Sequence, residues 1–257
     1  MTTLTQSALV TQRSLRTLSR QPAYLAFTLV QPMLWLLLFG QLFRRIAELP
    51  GFGSISYIDY LTPGVIVMTA MFSAGWAGTS FIVDMERGVM DRSLTSPLRR
   101  SALIAGSLTF QAITTVIQSL IVLGIGLLLG ARDAGGALGV VTVLVCAVLL
   151  ALVFAALSDA IALLVRQQEA LIGVSQFLTL PLSFLSSVLI AGDVMPAWVG
   201  EAARFNPVDW AAVASRAALS ADPDWGLVAG RVGLLVGLAA VMAVLAGRAF
   251  RTYQRSV

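Results

Sequence analysis

The sequence predicts an all-α polytopic membrane protein with six transmembrane helices. Hydrophobic residues make up 58% of the 257 residues and charged residues only 12%, and the mean hydropathy is +0.87. A soluble globular domain contains about 45–50% apolar and about 25% charged residues. The apolar residues are gathered into runs of about twenty residues or more, which is the length that a helix needs to cross a bilayer.

Residues 1–22 precede the first apolar run and are too polar for a signal peptide. At 100° per residue, one side of a helix carries Leu4, Ala8, Thr11, Leu15 and Leu18, and the opposite side carries Arg13, Arg16 and Arg20. This pattern predicts an amphipathic helix that lies along the membrane surface. A solvated tail is the alternative.

Six apolar runs follow and, with their connecting segments, form a single transmembrane domain. The predicted spans are residues 24–43, 61–83, 103–130, 138–165, 170–191 and 226–247. Pro32 lies inside the first span, where neighbouring helices can satisfy the carbonyl that a proline frees. The second and third spans are joined by the charged segment 84–100, and the fifth and sixth by the proline-containing segment 192–225.

Six spans place both termini on the same side, and the arginines indicate which side. Of the 17 basic residues, all of them arginine, eleven fall in the segments on the side of the termini and six on the other side. The termini and segment 84–100 are therefore expected in the cytoplasm, and the protein in the plasma (inner) membrane.

Two residue types, histidine and lysine, are absent, and their absence excludes classes of chemistry. The chain has no histidine, which excludes Ser–His catalysis and histidine metal sites. It has no lysine, which excludes a G-x-x-x-x-G-K-[ST] nucleotide loop. If ATP drives this protein, another chain must bind it. The single cysteine, Cys146, lies in an apolar run and is predicted to serve packing.

Three polar residues inside the spans are candidates for function. Asp159 is either solvated or paired with Arg166 near the end of its span, or it is the carrier of a proton-coupled secondary transporter. Gln111 and Gln118 lie seven residues apart on one helix face, where they line a path or bind a neighbouring helix across a subunit interface. An intramembrane enzyme is disfavoured, because the spans contain no paired carboxylates.

The segment DMERGVMDRSLTSPLRR, residues 84–100, has the densest charge in the chain. Asp84 and Arg87 are three residues apart and Arg87 and Asp91 four, so each pair can interact along a helix. Ser96 and Pro97 form a typical helix start. The residues of the segment alone are compatible with an ordinary inner loop or with a docking element for a cytoplasmic protein.

This segment resembles the cytoplasmic signature of ABC-2-type transporter permeases. The matching residues are Glu86, Arg87, Gly88, Asp91, Leu94, Ser96, Pro97, Leu98, Arg99 and Arg100. The family commonly has Glu where Asp91 stands and a basic residue where Met85 stands. A second segment is similar to the family's outer motif through Met195, Pro196, Trp198, Asn206 and Pro207. The resemblance covers essentially the whole chain and is closest to the daunorubicin-resistance type of drug and lipid exporters.

The resemblance implies a non-catalytic transport subunit that pairs with a second permease, identical or related, above two ATPase subunits. ATP and Mg would be held by the ATPase and no cofactor by this chain. Membrane lipids would be the other partner, and no nucleic acid is expected. Segment 84–100 would form the coupling helix that docks on the ATPase, through Glu86, Arg87, Gly88, Asp91, Arg92 and Pro97. Short re-entrant helices in segment 192–225 would form an outer gate with Met195, Pro196, Trp198, Asn206 and Pro207.

Overall fold

The computed structural model describes residues 3–20, 22–42, 56–90, 100–132, 134–189 and 195–255. Over these ranges the ordered elements are helices, and none of the described residues lies in a strand, as an all-α fold requires. The helices are α1 (Thr3–Arg20), α2 (Pro22–Leu42), α3 (Tyr57–Gly75), α4 (Thr79–Glu86), α5 (Arg100–Leu128), α6 (Gly136–Val165), α7 (Gln168–Phe184), α8 (Ala197–Ala203), α9 (Pro207–Leu219) and α10 (Trp225–Arg255).

Four helical stretches are long and apolar enough to cross a membrane. They are Tyr57–Glu86, which joins α3 and α4, and Ser101–Leu128, Gly136–Val165 and Trp225–Thr252. They coincide with the second, third, fourth and sixth predicted spans. In the region of the first predicted span, the shorter apolar stretch Thr28–Leu42 is helical.

Helix α6 lies at the centre of the bundle and packs against α3, α5, α9 and α10. Its buried face is made largely of small side chains, which let neighbouring backbones approach closely. A Cβ atom on Gly139 would lie 2.6 Å from the carbonyl oxygen of Ala218 in α9, so only glycine permits this contact. Cys146 is fully buried on the same helix and has a free thiol, in agreement with its predicted packing role.

Helix α7 ends at Phe184, short of the predicted end of the fifth span at Ala191. Its last turn contains Pro181, whose carbonyl accepts the amide of Leu185 at 2.8 Å. Beyond Phe184 the chain turns, because its carbonyls and amides bond to side chains of α3 and α9 instead of continuing the helix. The sequence did not reveal this change, because the partners that end the helix come from α3 and α9, which are distant along the chain.

Helix α1 packs against the start of α5. The Thr11 hydroxyl donates to the carbonyl of Gly106 at 3.2 Å, and a Cβ atom on Gly106 would lie 2.6 Å from Val10. Gln6, Thr11 and Leu18 are buried, whereas Ala8 is exposed. The prediction placed Ala8 on the covered face, and it was wrong there because the covered face is set by α5 and includes polar residues. Three arginines, Arg13, Arg16 and Arg20, are exposed as predicted.

Candidate functional site

A cleft of about 360 Å³ lies between α2, α3 and α7. Its aromatic and aliphatic lining is Pro32, Trp35, Val65, Met68, Phe72, Trp76, Leu180, Phe184 and Leu189. Its polar lining is Thr28, Gln31, Thr69, Ser73, Gln176 and Ser183, and none of these described lining residues is charged. This volume is within the range of ligand sites, and the mixture of ring surfaces with a few hydroxyl and amide groups suits an amphipathic molecule.

The two predicted glutamines lie one layer behind this cleft, within the subunit. The Gln111 amide nitrogen donates to the hydroxyl of Ser73 in α3 at 3.2 Å. The Gln118 amide nitrogen donates to the hydroxyl of Thr28 in α2 at 3.2 Å. Both glutamine side chains are buried, and both of their partners line the cleft. The glutamines therefore hold polar groups of the cleft wall in place, rather than facing a second subunit.

Asn206 joins the end of α7 to the start of α9. Its side-chain oxygen accepts the amide of Val208 at 3.0 Å, which caps α9 with Pro207 in the first helical turn. Its side-chain nitrogen donates to the carbonyls of Leu182 and Leu185 at 2.7 and 2.8 Å, which caps α7. One amide thus satisfies three of the backbone groups that two helix ends leave free.

The other predicted residues of this segment lie around α8. Pro196 immediately precedes α8, and its carbonyl accepts the amide of Val199 at 2.9 Å. The Trp198 side chain is 65% exposed, so it does not pack against the described part of the chain. Met195 is half-buried beside Pro196. The structure therefore brings Asn206 and Pro207 to the end of α7, and leaves Trp198 outside that cluster.

Arg216 of α9 is the centre of a polar cluster that the sequence reasoning missed. Its guanidinium donates to the carbonyl of Tyr60 at 3.2 Å, to the hydroxyl of Ser187 at 3.2 Å and to the carbonyl of Val188 at 2.7 Å. The charged group also lies 3.6 Å from the centre of the Tyr60 ring. These contacts fasten the turn after α7 to both α3 and α9.

Further contacts complete this cluster. Asp209, on α9, accepts the amide of Ser187 at 2.9 Å, and the Tyr57 hydroxyl donates to the carbonyl of Leu189 at 3.2 Å. The Tyr60 hydroxyl donates to the carbonyl of Ser187. A signal was present in the sequence: Asp209 and Arg216 are the charged residues of α9 and stand two helical turns apart, so they lie on one face.

At the opposite end of the bundle, α1 is joined to α4 by an ion pair. The Arg13 guanidinium donates to the Asp84 carboxylate at 2.7 Å, although both side chains keep contact with solvent. The sequence had allowed Asp84 to pair with Arg87, its neighbour on the helix. The partner comes instead from α1, which brings the N-terminal helix next to the predicted coupling segment.

The Glu86-Arg87-Gly88 signature forms the turn that ends α4. Glu86 is the last residue of α4, and both Glu86 and Arg87 are exposed. Gly88 has a φ of +66°, and its amide donates to the carbonyl of Met85 at 3.0 Å. Glycine is favoured here because a left-handed residue commonly ends a helix. The predicted coupling residues Asp91, Arg92 and Pro97 lie outside the described residues.

Asp159 is fully buried in α6, so the expectation that it is solvated or paired with Arg166 was wrong. Neither carboxylate oxygen has a hydrogen-bond partner of ordinary geometry among the described residues, although Ser107 of α5 lies beside it. The residue lies inside α6, which ends at Val165, and no part of its side chain is exposed to solvent. No group of three or more metal-ligating side chains comes together in the part of the chain that is described.

Comparison with known proteins adds to this geometry. The family model for the ABC-2 type transporter matches residues 5–220, which include both motifs. The chain is 30% identical over 243 residues (93% of this chain and 83% of the relative) to the daunorubicin resistance ABC transporter permease protein DrrB1 of Streptomyces coeruleorubidus. It is 31% identical over 198 residues (75% and 67%) to the putative transport permease ycf38 of Cyanophora paradoxa. It is 25% identical over 201 residues (76% and 71%) to the probable doxorubicin resistance ABC transporter permease protein DrrC of Mycobacterium tuberculosis.

Proposed function

The chain belongs to the ABC-2 type transporter family, and on that premise we propose that it is the permease subunit of an ATP-driven exporter of an amphipathic drug or lipid. It would form the path through the membrane, while a separate ATPase subunit hydrolyses ATP. The absence of lysine from the sequence supports this division, because the nucleotide loop of such ATPases requires one.

The cleft between α2, α3 and α7 is the observation that carries the proposed substrate class. Its rings and aliphatic side chains can cover the apolar part of a molecule, and its hydroxyl and amide groups can bind a polar end. Two of the relatives have names that refer to resistance to daunorubicin and doxorubicin. An aromatic amphipathic drug is therefore the first substrate to test, and a phospholipid the second.

The proposed complex contains two permeases, identical or related, and two ATPase subunits. Each permease would have six spans, with both termini and the segment after α4 in the cytoplasm of the cell and the chain in the plasma membrane. The excess of arginine on the proposed inner side supports this orientation. The α8–α9 region would then face outward and act as the outer gate.

Coupling would begin in segment 84–100, where Glu86, Arg87 and Gly88 would contact the ATPase together with Asp91, Arg92 and Pro97. Closure of the two ATPase subunits is a rigid-body motion, and a short stiff element can pass it to α4. The ion pair between Arg13 and Asp84 would let α1 move with α4. ATP binding would in this way change the shape of the cleft.

The decisive experiment is reconstitution of the chain with its ATPase in liposomes. ATP-dependent accumulation of daunorubicin, or movement of a fluorescent phosphatidylethanolamine between leaflets, is the expected result. Phe184→Ala, inside the cleft, should reduce transport; Phe177→Ala, a similarly exposed residue of α7 outside the cleft lining, should reduce it less. Equal effects of the two variants in intact complexes would contradict the placement of the substrate in the cleft.

A proton-coupled secondary transporter is the second candidate, and the buried carboxyl of Asp159 is the observation that favours it. The two mechanisms differ in their energy source. Export that continues in the presence of a protonophore, and stops when ATP is removed, supports the ABC mechanism. Export that stops with the protonophore while ATP is present supports the proton route.

A further inference from the structure

The span made of α3 and α4 is broken between Trp76 and Gly78, inside the bundle. The amides of Trp76 and Ala77 bond to carbonyls three residues earlier, at 3.4 and 3.1 Å, and the amide of Thr79 bonds to Trp76 at 3.1 Å. This tightened turn leaves the Gly75 carbonyl and the Gly78 amide without backbone partners. At membrane depth such groups must be satisfied by another part of the protein.

Ser158 of α6 satisfies both groups. Its hydroxyl donates to the Gly75 carbonyl at 2.8 Å and accepts the Gly78 amide at 3.0 Å, so it bridges the two sides of the break. A Cβ atom on Gly78 would collide with the Ser158 backbone and lie 2.8 Å from the Ala162 side chain. Glycine at position 78 thus allows α6 to approach closely enough for the Ser158 hydroxyl to replace backbone hydrogen bonds of the span. Insertion of a side chain into the hydrogen bonds of a helix is a known cause of helix breaks.

The two sides of the break are held unequally. The Gly75 carbonyl, at the end of α3, accepts a second hydrogen bond from the Ser175 hydroxyl of α7 at 2.8 Å. The Gly78 amide, at the start of α4, has the Ser158 hydroxyl as its acceptor. Movement of α4 therefore breaks one hydrogen bond, whereas movement of the α3 end breaks two. By these side-chain hydrogen bonds, α4 is the more weakly held side of the break.

The break also stands between the two functional regions. Ser73, on its α3 side, and Trp76, within the break, line the cleft. Asp84 and Glu86, on its α4 side, belong to the ion pair with α1 and to the Glu-Arg-Gly turn. Helix α4 has only 8 residues, and the amide and hydroxyl of Thr79 at its start donate to the Trp76 carbonyl at 3.1 and 2.8 Å, so a tilt of α4 would move Trp76 with it.

We propose that the break at Trp76–Gly78 is the hinge that links the coupling segment to the cleft, and that Ser158 is the positioning residue that holds this hinge in the conformation described here. The inference rests on the proposed function. When the ATPase moves α4, the Gly78 amide leaves the Ser158 hydroxyl while the Gly75 carbonyl stays bonded, and Trp76 changes its position in the cleft wall.

The test compares three variants in the reconstituted complex: Ser158→Ala, Ser175→Ala and Thr114→Val. Thr114 is a buried control, whose hydroxyl donates within its own helix to Phe110. Ser158→Ala should lower the number of daunorubicin molecules exported per ATP about fivefold or more, with ATP hydrolysis retained. Ser175→Ala should have a smaller effect, because the Gly75 carbonyl keeps Ser158, and Thr114→Val should match the wild type.

An export-to-ATP ratio of Ser158→Ala equal to that of Thr114→Val would overturn the hinge. A wild-type complex that shows no ATP-driven export would instead refute the proposed function, so the two failures are distinguishable. If the Ser158→Ala complex does not assemble, the hydrogen-exchange rate of the Gly78 amide in the wild-type complex tests the proposal. The Gly78 amide should exchange faster with ATP trapped on the ATPase than without nucleotide, and equal rates in the two states would overturn the proposal.

Discussion

Gln111 and Gln118 act at the scale of single residues, because each fixes one hydroxyl of the cleft wall. Gln111→Met would keep the length of the side chain and remove the donor to Ser73. A hydrogen bond of this kind contributes about 1 kcal/mol, which corresponds to about a fivefold change in binding. We expect the KM for export to rise by about that factor, with the amount of assembled complex unchanged.

The measurement is the rate of ATP-dependent drug uptake into liposomes as a function of drug concentration. The matched control is Thr142→Val, which also removes a polar group from an apolar span, but one whose hydroxyl bonds within its own helix to Leu138. This control should leave the KM unchanged. A lower melting temperature of Gln111→Met with an unchanged KM would show that Gln111 serves stability alone.

Asp159 carries a second prediction at this scale. A fully buried carboxyl whose oxygens have no partner of ordinary geometry among the described residues is unfavourable, so Asp159→Asn should keep the melting temperature of the complex or raise it. ATP-driven export should persist in this variant. The control is Asp222→Asn, which removes an exposed acid. Complete loss of export from a complex that still assembles and hydrolyses ATP would give Asp159 a role in transport.

Arg216 determines how a whole element is held, because its three hydrogen bonds join α9 to α3 and to the turn after α7. Arg216→Lys would keep the charge, but an ammonium group cannot reproduce the planar fork of donors. We expect a loss of about 2–4 kcal/mol of stability, seen as a lower melting temperature in detergent. Arg204→Lys, at an exposed position, should change it little; equal shifts would contradict the role of Arg216.

The end of α4 provides the prediction for a helix terminus. A Cβ atom on Gly88 would meet no atom within 4 Å, so Gly88→Ala changes only the backbone preference at φ +66°. The expected cost is about 1 kcal/mol, concentrated in the turn that ends α4, inside the proposed coupling segment. Export per ATP should fall while membrane insertion stays normal.

Gly200→Ala is a matched control for Gly88→Ala, because a Cβ atom on Gly200 also meets open space but its residue lies within α8. The comparison separates the effect of the left-handed φ at Gly88 from the general effect of replacing a glycine with alanine. Identical ratios of export to ATP hydrolysis in the two variants would contradict a role of Gly88 in coupling.

At the scale of the whole molecule, the helices differ strongly in their exposure. In the apolar stretch of α10, 11% of the residues are buried, whereas 56% of the residues in that of α6 are buried. We expect a photoactivatable phospholipid to label α10 and the exposed face of α2 heavily and α6 weakly, as read by mass spectrometry of peptides. Residues that are labelled in the isolated chain and protected in the complex would mark a face covered by a partner, with the proposed second permease as the expected one within the membrane.

The sequence was sufficient for the all-helical fold, for the family and for most helix positions, because long apolar runs and ordered motifs are local signals. It was insufficient where a contact between distant segments determines the point at which a helix ends or breaks. The end of α7 at Phe184 depends on Asn206, and the break before α4 depends on Ser158. Neither can be read from the residues around it. The glutamines were recognised as candidates, but their partners, Ser73 and Thr28, required the packed structure.

The uncharged lining of the cleft has an electrical consequence. Because the described walls carry no ionised side chain, a change in their shape moves no charged side chain of the cleft lining. Within the cleft, the only moving charge would then be that of the substrate. The free energy of moving a monovalent cationic drug across the membrane changes by about 2.3 kcal/mol per 100 mV. Passage of a neutral or zwitterionic substrate through the cleft would not depend on the voltage.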